Sequence, residues 1–182
     1  MKYYLKLGFI LFIITVIASG VLAYINTLTQ PIIEKNQRIA QEKARKEVLP
    51  SAITFEEVTC DITYHIGKDA AENIVGYTFV ASLYGYSSDV KTMVGVNTDL
   101  IIEKIKIISQ AETPGLGANC EKPEFQAQFS EKQKTDMRVD KDGGNIVSLT
   151  GATITTRAIT NSIKAALNKL DLPAEKIEER IK

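Results

Sequence analysis

The sequence predicts an α+β domain carried on one N-terminal transmembrane helix, and three observations lead there. An uncharged run extends from Leu7 to Ile25, and no further charge follows until Glu34. From Ile53 onward, apolar residues recur at every second position, the period of a half-buried strand. From Thr156 onward, Ile159, Ile163, Ala166, Leu167 and Leu170 recur at helical spacing. The expected body is a twisted, mostly antiparallel sheet with helices packed on it. A chain of 182 residues fits one domain of ordinary size plus appendages. Its 22 basic and 22 acidic residues cancel, so no global field recruits nucleic acid as a partner.

The nineteen residues Leu7–Ile25 span about 28 Å at ~1.5 Å each, close to the hydrocarbon thickness of a bilayer. A cleaved signal peptide is the competing reading, with Lys2 and Lys6 as a basic start and Val21-Leu22-Ala23 as a processing site. The apolar run outlasts the usual signal core, which favours an uncleaved anchor in the lipid bilayer over residues 1–30. Lys35, Arg38, Lys43, Arg45 and Lys46 outnumber Lys2 and Lys6 across the helix. A positive-inside count therefore keeps the main domain in the cytoplasm, although domains of this length translocate largely regardless of charge.

Residues 31–50 read as a charged juxtamembrane helix. Ile32, Ile33, Ala40, Ala44 and Val48 oppose Glu34, Arg38, Glu42 and Lys46. Glu34–Arg38 and Glu42–Lys46 have the favourable i,i+4 order, worth about 0.2–0.5 kcal/mol each. Pro31 marks either a helix start or a kink, and Leu49-Pro50 ends the segment. The segment is either a spacer or a surface for a partner helix.

Over residues 51–172 the period is first that of strands. Val58, Cys60, Ile62, Tyr64 and Ile66 alternate, as do Tyr77, Phe79, Ala81 and Leu83. Further strands are expected at Val90–Val96 and Leu100–Ile108, joined by the turn Asn97-Thr98-Asp99. Phe125 and Phe129 suggest a short helix. Arg138–Asp140 and Asn145–Ser148 are candidate strands around the hairpin signal Asp142-Gly143-Gly144. The C-terminal helix starts near Thr156, and residues 173–182 form a charged tail.

Cys60 and Cys120 lack the spacing of zinc or iron–sulfur ligands, so no metal site is expected; they form either a disulfide or two unlinked thiols. His65 lies in an alternating strand and reads as structural. The sequence shows no Ser-His-Asp pattern, HExxH motif or GxGxxG fingerprint, and no catalytic residue is assigned.

Two motifs stand apart. Ser148-Leu149-Thr150-Gly151-Ala152-Thr153-Ile154-Thr155-Thr156 is a hydroxyl-rich turn feeding a helix. Such a turn is either an N-cap or, through unpaired N–H groups and the helix dipole, an anion site. Glu112-Thr113-Pro114-Gly115-Leu116-Gly117 is a tight loop after a strand, with Pro114 keeping Thr113 out of the helical region. Glu112 is its one carboxylate.

Thr150-Gly151-Ala152-Thr153 resembles the (S/T)GAT flavinylation motif of the FMN-binding domain family, and Glu112–Gly117 resembles that family's ETPGLG loop. Gly85-Tyr86 and Val90–Gly95 resemble its strand-turn-strand pattern, so the similarity covers most of residues 74–170. The resemblance implies an extracytoplasmic domain with a cytoplasmic N-terminus. It implies FMN joined by a phosphoester to Thr153, installed by a flavin transferase that uses FAD and magnesium. Thr150, Gly151, Ala152, Glu112, Thr113, Gly115, Leu116 and Gly117 complete the implied flavin site.

Within the family, the whole chain looks most like the G subunits of Rnf complexes, which couple electron flow between ferredoxin and NAD⁺ to sodium or proton movement. The implied function is a redox subunit that relays electrons between other membrane subunits. The C subunit of the sodium-pumping NADH:quinone reductase is the neighbouring alternative, usually on a longer chain. A non-redox, membrane-anchored assembly module is the alternative outside the class. Two positions depart from the family pattern: Val147 stands where an aspartate is frequent, and Gln110 where a histidine is.

Overall fold

A computed structural model describes residues 2–59 and 61–170. Cys60 and the expected tail at 173–182 lie outside the described residues. The chain divides into two units between Ala40 and Gln41.

The first unit is helical. It holds most of helix α1, which runs unbroken from Lys2 to Val48 with Pro31 inside it. Pro31 is therefore not a helix start, and the anchor and charged segments belong to one helix. Its best stretch has a mean hydropathy of 2.5, long and apolar enough to cross a membrane. Phe9, Leu11, Ile17 and Leu22 are exposed on it. The hydroxyls of Thr15, Thr27 and Thr29 donate back to the carbonyls of Leu11, Tyr24 and Ile25 at 3.1, 2.7 and 3.1 Å. No polar side-chain hydrogen on these threonines needs water, which suits them to lipid.

The second unit begins at Gln41, before the domain start expected at residue 51, because the last turns of α1 are part of it. Ala44 and Val48 are buried with Met93. The unit's frame is a five-stranded antiparallel meander, β1 (Thr54–Thr59), β2 (Thr63–Lys68), β3 (Ile74–Tyr84), β4 (Asp89–Asn97) and β5 (Ile102–Ser109), ordered as in the chain. The alternation through Val58, Tyr64 and Ile66 spans two strands. Val58 pairs directly with Tyr64, so a hairpin between them leaves both on one face and hides the turn from a period-two reading. The expected turn at Asn97 is present: its side-chain oxygen accepts from the amides of Asp99 and Ile101 at 3.0 and 2.9 Å.

The short helix α2 (Pro123–Ala127) and the longer α3 (Thr153–Leu170) follow the sheet, and α3 covers one of its faces. Ile159, Ile163 and Leu167 of α3 share a core with Phe79, Val94, Ile105 and Phe129. Helix α2 contributes Phe125, whose ring meets that of Phe129 edge-to-face at 5.5 Å. On the opposite face, a Cβ at Gly95 would stand 2.3 Å from the Val48 carbonyl, so only glycine admits the end of α1.

Two expectations are corrected. Residues 138–148 make no hairpin ladder. Val139 and Ile146 form a single bridge around a 3₁₀ turn at Asp140–Asp142, which Gly143 ends at a φ of 79°. Helix α3 starts at Thr153, one turn before Thr156. Its first turn holds three threonines and an exposed Ile154 off the buried stripe, which an apolar period cannot register.

Candidate functional site

Three loops converge at the N-terminus of α3: residues 85–88 between β3 and β4, residues 112–117 after β5, and the turn at 150–152. Glu112 joins them. Only 5% exposed, it accepts from the amides of Tyr86 at 3.1 Å, Ser87 at 2.9 Å and Ser88 at 3.1 Å. The hydroxyl of Thr155, in the first turn of α3, donates to it at 2.5 Å. Burial opposes ionisation of Glu112, but the Thr155 hydroxyl and three amides outweigh it and hold the carboxyl below its ordinary range. A Cβ at Gly117 would lie 2.8 Å from the Glu112 carboxylate and 2.7 Å from the Thr155 hydroxyl, so this glycine is what lets the three groups close.

The loops are tight on their own account. Leu116 and Ala118 both donate to the Thr113 carbonyl, at 3.1 and 3.2 Å. Gln110 accepts from the Glu112 amide at 2.7 Å and donates to Glu121 at 2.9 Å, so it braces the loop base. Gly151 has a φ of 73°, the left-handed region that favours glycine. The first intrahelical bond of α3 runs from the Thr156 amide to the Ala152 carbonyl at 3.1 Å. The amides of Thr153, Ile154 and Thr155 precede it at the positive end of the helix.

A cavity of about 580 Å³ lies among these loops. Thr153, Gly151, Ala152, Glu112, Thr113, Leu116 and Gly117 line it, as do Tyr86, Ile154 and Thr155. Thr150 and Gly115 line a neighbouring cavity of about 630 Å³, and Leu116 borders both. Thr153 is half-buried at the mouth, while Leu116 and Ile154 are 42% and 52% exposed. This volume is in the usual range for small-molecule sites.

These residues fit FMN. The turn at Gly151 and Ala152 lets a phosphate approach the first amides of α3, and Leu116, Ile154 and Tyr86 offer apolar and aromatic surface to a ring.

Tyr86, Ile154 and Thr155 join the site without having been expected there. Ile154 was detectable, since an isoleucine off the buried stripe of an amphipathic helix has no core to enter. Thr155 was not, because its role depends on Glu112, 43 residues away.

Other groups fall outside the cavity. Burial, then the nearby Glu121 and Glu112, pushes the Cys120 thiol up to about 12, which makes it a packing group. His65 lies on β2 with Glu57 at 3.6 Å, and burial and the Arg45 charge lower its pKa. Among the described residues, no group of three or more His, Cys, Asp or Glu side chains converges on a metal position.

Known proteins resemble both parts of the chain. Residues 85–168 match the family described as FMN-binding domain, and residues 2–48 match the RnfG N-terminal region. The C subunit of a Na(+)-translocating NADH-quinone reductase from Parabacteroides distasonis has a similar fold. Its TM-score is 0.54 at 18% identity, over 73% of this chain and 91% of that one. NqrC of Shewanella oneidensis aligns with a TM-score of 0.50 at 19% identity, over 64% of this chain and 66% of that one. Fold and site thus define an FMN-binding domain with a long apolar N-terminal helix.

Relatives similar along their whole length narrow the class. The chain is 34% identical to the G subunit of the Na(+)-translocating ferredoxin:NAD(+) oxidoreductase complex of Acetobacterium woodii, over 91% of both chains. It is 32% identical to the G subunit of the ion-translocating oxidoreductase complex of Methanosarcina acetivorans, over 86% of this chain and 88% of that one. This chain belongs to the family of G subunits of ion-translocating oxidoreductase complexes.

Proposed function

We propose that this chain is the membrane-anchored flavoprotein subunit of an Rnf-type ferredoxin:NAD⁺ oxidoreductase, relaying electrons between neighbouring subunits while the complex moves Na⁺ or H⁺. The observation that carries this reading is the convergence of Thr153, Glu112 and the 112–117 loop on one cavity, in a chain whose full-length relatives are G subunits.

Bound FMN supplies electron transfer in single or paired steps. The chain's own residues supply position and electrostatics. Thr153 would carry the cofactor through a phosphoester on its hydroxyl, formed when a flavin transferase moves the FMN portion of FAD to that oxygen and releases AMP. Its half-buried place in the cavity lining leaves that oxygen reachable. The first amides of α3 would face the phosphate, and Gly151 keeps the approach uncluttered. Leu116, Ile154 and Tyr86 would border the ring, while Glu112 ties the 85–88 and 112–117 loops to the first turn of α3. Attachment through phosphate keeps FMN from being lost and leaves its ring open to partners. The apolar helix anchors the chain in the membrane, with the flavin domain outside the cytoplasm.

The non-redox assembly reading draws on Val147, which is 64% exposed and carries no carboxylate. Its backbone is clamped instead by Gln128, at 2.8 and 3.3 Å. Complementation separates the two readings. Membranes from a strain lacking this chain are assayed for electron flow from reduced ferredoxin to NAD⁺ after supplying wild type or Thr153→Ala. The relay reading expects wild type alone to restore flow at equal subunit levels. Full restoration by Thr153→Ala overturns it and supports the assembly module.

A further inference from the structure

Apart from the flavin cavity, a polar cavity of about 460 Å³ opens beside the C-terminal half of α3. Its walls include Lys134, Asp136, Arg138, Asn145, Lys164 and Asn168. Lys164 and Asn168 stand one turn apart on α3, and Lys134 and Asp136 lie in a 3₁₀ turn at Lys134–Asp136. Arg138 and Asn145 are brought together by the turn through Gly143 and Gly144. That turn is held closed by the Ile146 amide, which donates to the Arg138 carbonyl at 3.2 Å. Lys164 is eleven residues along α3 from Thr153, about 16 Å at ~1.5 Å per residue, so the two sites are separate.

Lys134 is already engaged, so the charges open to a ligand are those of Arg138 and Lys164. Asp136, its one carboxylate, accepts from the Gln133 amide at 2.9 Å. Asp142 feels the field of Arg138, but its two oxygens are taken by Arg157 at 2.9 and 2.6 Å. Among the described residues, neither Arg138 nor Lys164 makes a side-chain hydrogen bond or salt bridge. Arg138 and Lys164 thus share a concave surface with two carboxamides, and among the described residues no carboxylate is hydrogen-bonded to either.

The chemistry of an occupant follows from those donors. A carboxylate brings one charge and two oxygens, fewer than a guanidinium, an ammonium and two amides supply. A phosphate ester brings up to two charges and three or four acceptor oxygens, and a guanidinium fork matches its edge. We propose that this cavity binds a phosphate group, with Arg138 and Lys164 supplying the charge and Asn145 and Asn168 the neutral donors. The monoester headgroup of phosphatidic acid and a soluble phosphate share this chemistry.

The test uses the full chain in neutral detergent micelles, reading the side-chain amide NMR signals of Asn145 and Asn168. One arm adds inorganic phosphate to the buffer, and the other dopes phosphatidic acid into the micelles. At least one probe should shift these signals saturably. Affinity should fall at least tenfold in Lys164→Gln and in Arg138→Gln, and stay unchanged in Lys169→Gln, an exposed lysine outside the cavity. Both altered side chains are solvent-exposed, so the variants should fold, which their backbone spectra check. Preference for phosphatidic acid identifies the source as lipid, and preference for inorganic phosphate identifies a soluble ligand. The absence of saturation with both probes overturns the proposal. So does equal binding by wild type, Lys164→Gln and Arg138→Gln.

Discussion

The carboxylate of Glu112 receives the hydroxyl of Thr155 at 2.5 Å, joining the loop after β5 to the first turn of α3 across 43 residues. Because the same carboxylate also takes three amides from the 85–88 loop, its replacement disturbs that loop, its own loop and the start of α3 around the proposed flavin cavity. Glu112→Gln puts an amide donor among donors and leaves at least one of them unpaired. We expect it to cost about 2–3 kcal/mol of unfolding free energy. Thr155→Val preserves shape and the amide bonds, and should cost about 1–2 kcal/mol. Urea unfolding of the flavin-free protein measures both, and equal stability of wild type and Glu112→Gln would contradict the assigned role.

That contact also has a pH signature. Folding depresses the Glu112 carboxyl, so as pH falls the unfolded chain takes up its proton first. The contribution is therefore fully present above the ordinary carboxylate range near ~4.3 and is lost as pH falls through the folded value. The stability gap between wild type and Glu112→Gln should be constant above about pH 5 and narrow below about pH 4. A gap that widens on acidification would reverse the sign.

Gly151 tests the turn. Alanine there must adopt a φ of 73°, and its Cβ would press on Leu116 Cδ2 at 3.0 Å. Strain of this kind costs about 1–2 kcal/mol. Gly151→Ala should lower the melting temperature and slow flavin attachment to Thr153 together. Unchanged attachment kinetics would show that the turn's shape is not what the transferase reads.

Tyr86 is 67% exposed yet lines the cavity proposed for flavin. A side chain so accessible holds little of the core, so Tyr86→Ala should leave unfolding unchanged within about 0.5 kcal/mol. It should nevertheless alter the visible circular dichroism of bound flavin, while Tyr86→Phe keeps the wild-type signal. Identical spectra for all three proteins would place the ring elsewhere.

Much of the fold was legible because its signals are local. The uncharged run before Glu34, the Asn97 turn and the Ile159–Leu167 stripe each lie within one element. The β1–β2 hairpin was hidden by parity, since a turn that pairs Val58 with Tyr64 preserves the alternation. The start of α3 was hidden because its first turn is three threonines and an exposed Ile154 that lies off the buried stripe. The site divides the same way. Thr153 and the 112–117 loop announce themselves in short strings, whereas the bonds of Glu112 to residues 86–88 exist only after the meander has formed. Cys60 and the C-terminal tail lie outside the described residues, so Cys60 and Cys120 stay as read from the sequence, either a disulfide or two unlinked thiols.

The proposed relay depends above all on covalent attachment of FMN at Thr153. Its sharpest check is the intact mass of the denatured chain after co-expression with an active flavin transferase, beside Thr153→Ala and Thr150→Ala. A gain of one FMN less one water is expected in wild type and Thr150→Ala, and none in Thr153→Ala. An unmodified wild-type chain, alongside a modified control protein, would contradict the proposal, as would a flavin still bound covalently to Thr153→Ala.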